Sequence, residues 1–246
     1  MSEIRTFYLD KKVNVGDTVQ INGSDYHHIR NVLRLKEGES ILLLTCDGKH
    51  QAKIVTFRSD LVMVQITGTE ESKMKFPLIH LIQGIPKGWK MDEIIEKSTE
   101  MGVSAIYPAY MTRSIPKFSA EEEQNKRKRW EKIAISATKQ SRRNNVPIIG
   151  QILSFEKQLN NFGEFLGGKI LFWELSSNQS LLKFIQNNKK NEYLIVIGPE
   201  GGISHDEADK CINSGFSQLS LGDTILRTET ASPYAVGLTR YLWQSI

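Results

Sequence analysis

The chain has 246 residues, of which 39% are hydrophobic and 24% charged, a composition typical of folded globular proteins. Its 32 basic and 28 acidic residues give a net charge of +4, which permits a nucleic-acid partner without requiring one. Two cysteines, Cys46 and Cys211, exclude a disulfide scaffold and a zinc site of clustered cysteines. No apolar run approaches the roughly 18–20 residues that span a bilayer, and the start MSEIRTFYLD does not resemble a signal peptide. We therefore expect a cytoplasmic protein with no membrane partner.

The amino-terminal part of the chain predicts short strands separated by turns. Strand-like runs cover residues 19–21, 40–45 and 52–57, with turn signals at residues 22–23, 37–38 and 47–48. A helix over residues 25–33, capped by Ser24 or Asp25, interrupts them. The pattern predicts a small β-barrel, and the polar residues 70–75 predict a linker after it.

After Pro77 the pattern changes to alternating strands and helices. Strands are predicted at residues 78–85, 103–107, 169–173, 193–197 and 218–221. Helices are predicted at residues 91–101, 120–141, 179–186, 205–215 and 232–243. The first of these ends at Gly102, and the fourth begins at a capping box formed by Ser204 and Glu207. Repeated β-α-β units predict an α/β domain with a mostly parallel sheet.

Basic residues concentrate at the end of one predicted helix. Residues 1–72 carry a net charge of −1 and the remainder +5, and residues 126–143 alone carry +7. Such a run is either a solvated helix face or a binding surface for phosphates. The candidate RNA-binding residues are Lys139, Arg142 and Arg143, followed by Arg30 and Arg34 in the amino-terminal part.

The strongest local signal is the motif Ile-Gly-Pro-Glu-Gly-Gly-Ile-Ser at residues 197–204. A buried strand ends there, glycines allow close approach of the backbone to a ligand, and a capped helix follows. The motif is neither a P-loop nor a G-x-G-x-x-G fingerprint. It is either a binding loop or a tight turn that needs glycine at Gly201 or Gly202.

A second motif, Leu-Gly-Asp-Thr-Ile-Leu-Arg-Thr-Glu-Thr-Ala, covers residues 221–231. Ile225 and Leu226 suit the two faces of an apolar ring, and Arg227 suits the stabilisation of developing negative charge. Alternatively, Arg227 forms a structural ion pair with Glu229 or Glu200. The dipeptide after this motif, Ser232-Pro233, predicts a helix start.

These two motifs, together with the segment KGWKMDEIIEK at residues 87–97 and Gln-Ser-Arg at residues 140–142, resemble the RsmE family. Members of that family are SPOUT-class methyltransferases that act on N3 of a uridine in 16S ribosomal RNA. The resemblance implies a PUA-like, RNA-binding barrel over residues 1–72 and a trefoil-knotted SPOUT domain over residues 73–246. From the residues alone we would expect an unknotted sheet, because knots are rare.

The resemblance also implies S-adenosyl-L-methionine as cofactor, S-adenosyl-L-homocysteine as product, no metal, and a homodimer whose substrate is 16S rRNA, within the small ribosomal subunit. Arg227 is the candidate catalytic residue, and Glu229 is a candidate base only by its nearness in sequence. Trp89 and Ser232-Pro233-Tyr234 depart from the family pattern. The implied cofactor-binding residues are Leu175, Ile197, Gly198, Pro199, Glu200, Gly201, Gly202, Ser220, Leu221, Gly222, Ile225, Leu226, Arg227, Thr230 and Ala231.

Other chemistries and functions are less well supported by the sequence. Cys46, on a predicted barrel strand, and Cys211 are expected in the core, and the five histidines show no metal-ligand spacing. One alternative function is a non-catalytic RNA-binding or ribosome-assembly factor, but Arg227 and the loop glycines are present. The other is a SPOUT methyltransferase acting on tRNA, against which the amino-terminal barrel argues.

Overall fold

The structure, a computed structural model, describes residues 5–70, 76–174 and 180–246. The implied cofactor residue Leu175, the predicted boundary at residues 72 and 73 and most of the predicted linker lie outside these ranges. The chain divides into two compact units. The first takes in the chain up to residue 74 together with residues 138–146, and the second takes in residues 75–137 and 147–246.

The first unit is a five-stranded sheet with a short helical insertion. Its elements are β1 (Thr6–Leu9), β2 (Thr18–Asn22), α1 (Gly23–His27), a π-helical turn (His28–Val32), β3 (Ser40–Thr45), β4 (Gly48–Phe57) and β5 (Leu61–Glu70). The strands are hydrogen-bonded in the order β1-β3-β4-β5-β2, and all neighbours are antiparallel except β1 and β3. Alternate residues such as Ile41, Leu43, Val62 and Val64 are buried, as in a sheet with one covered face.

Two details of the amino-terminal prediction are wrong. The helix begins at Gly23 after an extended Asn22, not at Asp25, and the side chain of Asn22 makes no capping hydrogen bond. Cys46 is exposed in the turn between β3 and β4 instead of lying in the core. Because Thr45 pairs with Gly48, the hairpin closes over the two residues between them and leaves Cys46 outside the ladder.

The second unit is built on a seven-stranded sheet whose strand pairs are all parallel. Its strands are β6 (Leu78–Gly84), β7 (Ala105–Tyr110), β8 (Ile148–Ile149), β9 (Leu153–Ser154), β10 (Gly168–Phe172), β11 (Glu192–Ile197) and β12 (Ser217–Leu219). Its helices are α2 (Lys90–Met101), α3 (Ala120–Gln140), α4 (Phe155–Asn161), α5 (Leu181–Asn187), α6 (His205–Asn213) and α7 (Thr228–Gln244). The order is β12-β10-β11-β6-β7-β8, and β9 also pairs with β7. The predicted α/β class is confirmed.

Local signals explain where several of these helices begin and end. Helix α2 ends at Gly102, whose φ of 104° needs a residue without a side chain. At the start of α6 the Ser204 hydroxyl accepts from the Glu207 N–H, and the Glu207 carboxylate accepts from the Ser204 N–H, so the predicted capping box is confirmed. Throughout the described ranges, no helix is both long and apolar enough to cross a membrane.

The start of the last helix differs from the prediction. Helix α7 begins at Thr228, not Ser232, because the carbonyl oxygen of Arg227 already accepts from the N–H groups of Thr230 and Ala231, at 2.8 Å each. Pro233 therefore lies inside the helix. Its missing N–H removes only the intrahelical partner of the Glu229 carbonyl, close to the helix start.

Candidate active site

A cavity of about 420 Å³ lies at the carboxyl ends of β10, β11 and β12. Three segments that end or directly follow these strands supply most of its lining, at residues 172–174, 197–203 except Gly201, and 220–228. Parallel α/β sheets bind ligands in crevices outside the carboxyl ends of their strands. The volume falls in the range of roughly 300–1,000 Å³ that small-molecule sites occupy. The cavity is therefore the candidate active site of the second unit.

Most of the residues implied for the cofactor meet at this cavity. Those that line it are Ile197, Gly198, Pro199, Glu200, Gly202, Ser220, Leu221, Gly222, Ile225, Leu226, Arg227 and Ala231. Gly201 and Thr230 are not among the lining residues. The guanidinium of Arg113 donates from Nη1 to the carbonyl oxygen of Gly201 at 2.8 Å. The assignment of these residues to the cofactor, including those that line the cavity, stays a prediction.

The cavity also contains residues that the sequence analysis did not single out. These are Lys90, Phe172, Trp173, Glu174, Ile203, Asp223, Thr224 and Thr228. The end of the predicted strand at residues 169–173 is a signal for Phe172 to Glu174, since sites form where such strands end. Lys90 begins α2, more than 100 residues before the two motifs, and no local pattern predicts its place at the cavity.

Two glycines allow the chain to approach itself closely at the cavity. Gly202 has φ of 73°, and a Cβ there would lie 3.0 Å from a carboxylate oxygen of Glu174. A Cβ on Gly198 would lie 2.8 Å from the side chain of Ile203. Gly202 thus makes the tight turn that one interpretation of the glycine motif requires, and it also lines the cavity.

A buried hydrogen-bond network joins the two motifs beneath the cavity. Gln83, at the end of β6, donates from Nε2 to the Thr228 hydroxyl at 3.0 Å, and its Oε1 accepts from the Ser232 hydroxyl. The Thr228 hydroxyl in turn donates to the carbonyl oxygen of Gly198 at 2.8 Å. All three side chains are buried, so the network fixes the start of α7 against the glycine loop. Gln83 is one of two polar residues in the largely apolar run of β6, with His80, and this is its only sequence signal.

Lys90 forms the main ion pairs at the edge of the cavity. Its Nζ lies 3.0 Å from Glu200 Oε1 and 3.7 Å from Glu229 Oε2. The hydrogen bond to Glu200 raises the pKa of Lys90 above its ordinary value. Burial acts to raise the pKa of Glu200, but a backbone hydrogen bond and Lys90 outweigh it and hold that pKa below its usual range. Both groups are therefore charged at neutral pH.

Arg227 lines the cavity at the N-cap of α7, with its side chain exposed. Within residues 5–70, 76–174 and 180–246 it forms no ion pair, because Lys90 pairs with both Glu200 and Glu229. The alternative of a structural ion pair with either carboxylate is therefore not supported. Glu229 is not a lining residue, and its Oε2 is buried without a hydrogen bond from the described chain.

The remaining reactive groups do not form a second centre. Cys211 is buried, and burial, assisted by Glu207, raises the pKa of its thiol to about 12, so a nucleophilic thiolate is strongly disfavoured at neutral pH. In the part of the chain that the structure describes, no three His, Cys, Asp or Glu side chains form a group that could hold a metal ion.

The five candidate RNA-binding residues all belong to the first unit. Arg30 and Arg34 are exposed, and the guanidinium of Arg30 lies 4.5 Å from the centre of the Phe57 ring. Lys139 Nζ lies 3.9 Å from an Asp25 carboxylate oxygen. Since residues 1–74 carry as many basic as acidic groups, segment 138–146, with Lys139, Arg142 and Arg143, gives this unit a net charge of +3.

Known protein families match both parts of the chain. A family described as an RNA methyltransferase domain matches residues 72–240, and one described as an RNA methyltransferase PUA domain matches residues 21–56. The chain is 32% identical to ribosomal RNA small subunit methyltransferase E of Bacillus subtilis, with 94% of this chain and 93% of that protein covered.

Solved structures match at similar coverage. The ribosomal RNA small subunit methyltransferase E of Neisseria gonorrhoeae, bound to S-adenosyl methionine, is 31% identical, with 98% of each chain covered and a TM-score of 0.84. A putative methyltransferase of Legionella pneumophila in complex with the same cofactor is 29% identical, with 97% of this chain and 98% of that chain covered and a TM-score of 0.79. The expectation of a PUA-like amino-terminal domain beside an α/β methyltransferase domain is confirmed.

Proposed function

The chain belongs to the ribosomal RNA small subunit methyltransferase E family, and from this premise we propose that it transfers a methyl group from S-adenosylmethionine to N3 of a uridine in 16S ribosomal RNA. The observation that carries the proposal is the cavity at the carboxyl ends of β10, β11 and β12, which has Arg227 on its wall.

The lining of the cavity suits the chemistry of this cofactor. Phe172, Leu221 and Leu226 supply the apolar surfaces that an adenine ring requires, and Gly198 and Gly202 allow close backbone approach. The carboxylates of Glu174 and Asp223 suit the positive charges of its ammonium and sulfonium groups. When bound, S-adenosylmethionine supplies an electrophilic methyl group on sulfur, and S-adenosylhomocysteine is the product.

The protein must stabilise the uracil as it loses a proton. Methylation at N3 requires loss of the N3 proton, which leaves negative charge on the two ring carbonyl oxygens. Arg227 is permanently charged and carries a fork of donors, so it can bind these oxygens as their charge develops. Glu229 is the candidate acceptor of the proton; it does not line the cavity, and its Oε2 lies 3.7 Å from Nζ of Lys90, which does.

RNA recognition is assigned to the first unit, which combines the proposed PUA-like domain over residues 1–72 with segment 138–146. Arg30, Arg34, Lys139, Arg142 and Arg143 are its phosphate-binding candidates, and the net charge of +3 on that unit supports this assignment. The methyltransferase domain over residues 73–246 is proposed to be knotted near its carboxyl end. Two copies are expected to form a homodimer, which sedimentation of the purified chain would detect at twice the monomer mass.

The decisive experiment is nucleoside mass spectrometry of 16S rRNA from a strain that lacks this protein. We expect 3-methyluridine to be lost at one position and restored by the wild-type chain, but not by the Arg227→Ala variant. Unchanged 16S rRNA would contradict the proposal, and a loss found only in the tRNA fraction would favour a tRNA methyltransferase. Restoration by Arg227→Ala would favour a role in binding or assembly over catalysis by this residue.

A further inference from the structure

A large aromatic side chain stands in solvent beside the candidate active site. Trp89 is 68% exposed, although it directly precedes Lys90, which lines the cavity. Tryptophan is usually largely buried, because its ring removes a large apolar area from water. Trp173, by contrast, lines the cavity and donates from its indole nitrogen to the carbonyl oxygen of Ile203 at 3.2 Å.

The turn that carries Trp89 is held on both sides by one carboxylate of the glycine loop. The backbone N–H of Lys87 donates to both oxygens of Glu200, at 3.1 and 3.2 Å, and Lys90 Nζ lies 3.0 Å from Glu200 Oε1. Gly88, between these anchors, has φ of 64° and so allows the chain to turn there. Trp89 is therefore held at the edge of the cavity by a defined backbone, not by a loose loop.

The surroundings of this indole suit a nucleic-acid base. An enzyme that modifies a base must take it out of its stack, and exposed aromatic rings replace the lost stacking because every base has a flat face. Lys87, which is exposed two residues before Trp89 and whose side chain forms no ion pair in the described chain, supplies positive charge for the backbone of a polynucleotide. An exposed apolar ring with an exposed lysine near it in the chain, at the edge of a cavity that Arg227 lines, fits RNA better than it fits an uncharged partner.

We propose that Trp89 is a stacking platform for an unstacked base of the RNA substrate as the target nucleotide enters the cavity. This inference rests on the proposed function, since it takes the cavity as the site of methyl transfer. It assigns an RNA contact to Trp89, a residue that lies outside the two motifs at residues 197–204 and 221–231.

Steady-state methylation of 16S rRNA in small subunits from the deletion strain tests this role. Loss of one base–aromatic stack should raise KM for RNA by roughly 5- to 150-fold in Trp89→Ala and Trp89→Leu, with a smaller effect on KM for the cofactor. Trp89→Phe should retain most of the affinity, because it keeps a flat ring. Tyr241→Ala is the matched control, because Tyr241 is also exposed, at 66%, and does not line the cavity.

Fluorescence gives a readout that a merely structural role would not change. In a titration with RNA at saturating S-adenosylhomocysteine, the wild-type chain should lose indole emission that Trp89→Phe does not lose. Wild-type KM in an active Trp89→Leu enzyme would overturn stacking while the proposed function stands. Absence of rRNA methylation by the wild-type chain would instead refute the proposed function. If Trp89→Ala dissociates a dimer and Trp89→Leu restores it, the indole is covered by a second copy and the proposal is wrong.

Discussion

Arg227 combines three properties at one position: it occupies the N-cap position of α7, it lines the cavity, and it forms no ion pair with either nearby carboxylate in the described chain. If it stabilises charge in the transition state, Arg227→Ala should lower turnover by about 10²–10³, as loss of one oxyanion donor does. Cofactor affinity should change much less. Single-turnover rates and calorimetry with S-adenosylmethionine measure the two effects separately.

Arg227→Lys is the control for that variant. It keeps the charge and loses the planar fork of donors, so its rate should lie between those of the wild type and Arg227→Ala. Loss of activity that is explained wholly by loss of cofactor binding would make Arg227 a structural residue of the loop.

Gly202 and Gly215 offer a matched pair for testing the cavity. Both have positive φ, 73° and 84°, so alanine introduces similar backbone strain at either position, about 1–2 kcal/mol. Only at Gly202 does the new Cβ approach Glu174 at the cavity, whereas nothing lies within 4 Å of the one at Gly215. Calorimetry should show weakened cofactor binding for Gly202→Ala and normal binding for Gly215→Ala. If the two variants bind S-adenosylmethionine with equal affinity, Gly202 is not part of the binding site.

Between elements, the Gln83–Thr228–Gly198 hydrogen bonds join β6, the glycine loop and α7. Thr228→Val keeps the shape but leaves the buried Gly198 carbonyl without this donor. We expect a loss of about 1–3 kcal/mol in the free energy of unfolding, measured by urea denaturation. Thr228→Ser retains the hydroxyl and should lose much less. Equal stability of the valine variant and the wild type would show that the network contributes little.

The basic segment that ends α3 can be tested through salt dependence. If Lys139, Arg142 and Arg143 each bind one phosphate, their replacement by alanine should flatten the plot of log K against log[salt] by about 2.7 units. A matched triple variant at Lys128, Arg129 and Lys132 removes the same charge from the exposed face of α3 in the second unit. If the slope changes equally in both triple variants, the effect is one of overall charge and not of this segment. If the slope does not change when Lys139, Arg142 and Arg143 are replaced, the segment is a solvated surface that does not bind phosphates.

At the scale of the whole molecule, the two cysteines report on folding. Cys46 is exposed, whereas Cys211 is buried with a thiol pKa raised to about 12 by burial. A thiol reagent at neutral pH should therefore modify one cysteine in the native chain and the second only as denaturant unfolds it. Mass spectrometry of the labelled peptides measures both. Rapid modification of Cys211 in the native protein would mean that the core around α6 opens locally.

Local chemistry accounts for the parts of this protein that could be predicted from its sequence. The end of α2 at Gly102, the capping box of α6 and the turn at Gly202 depend on neighbouring residues, so their signals are readable along the chain. The paired motifs at residues 197–204 and 221–231 likewise identify two loops of one cavity. The start of α7 differs from the prediction because Ser232-Pro233 is typical of a helix start, whereas Pro233 is the sixth residue of this helix.

Contacts between distant segments were decided only by the tertiary structure. Lys90 meets Glu200 and Glu229, and Gln83 meets Thr228, across more than 100 residues of chain, so neither pairing leaves a local pattern. No local pattern predicts that segment 138–146 belongs to the first unit, where it changes the net charge of that unit to +3. The sequence by itself determined the α/β class and the two loops that line the cavity, because both follow from local patterns. Tertiary packing determined which charges pair. Lys90 forms ion pairs with both Glu200 and Glu229, and Arg227 lines the cavity without an ion pair in the described chain, because these contacts join segments that are far apart in the sequence.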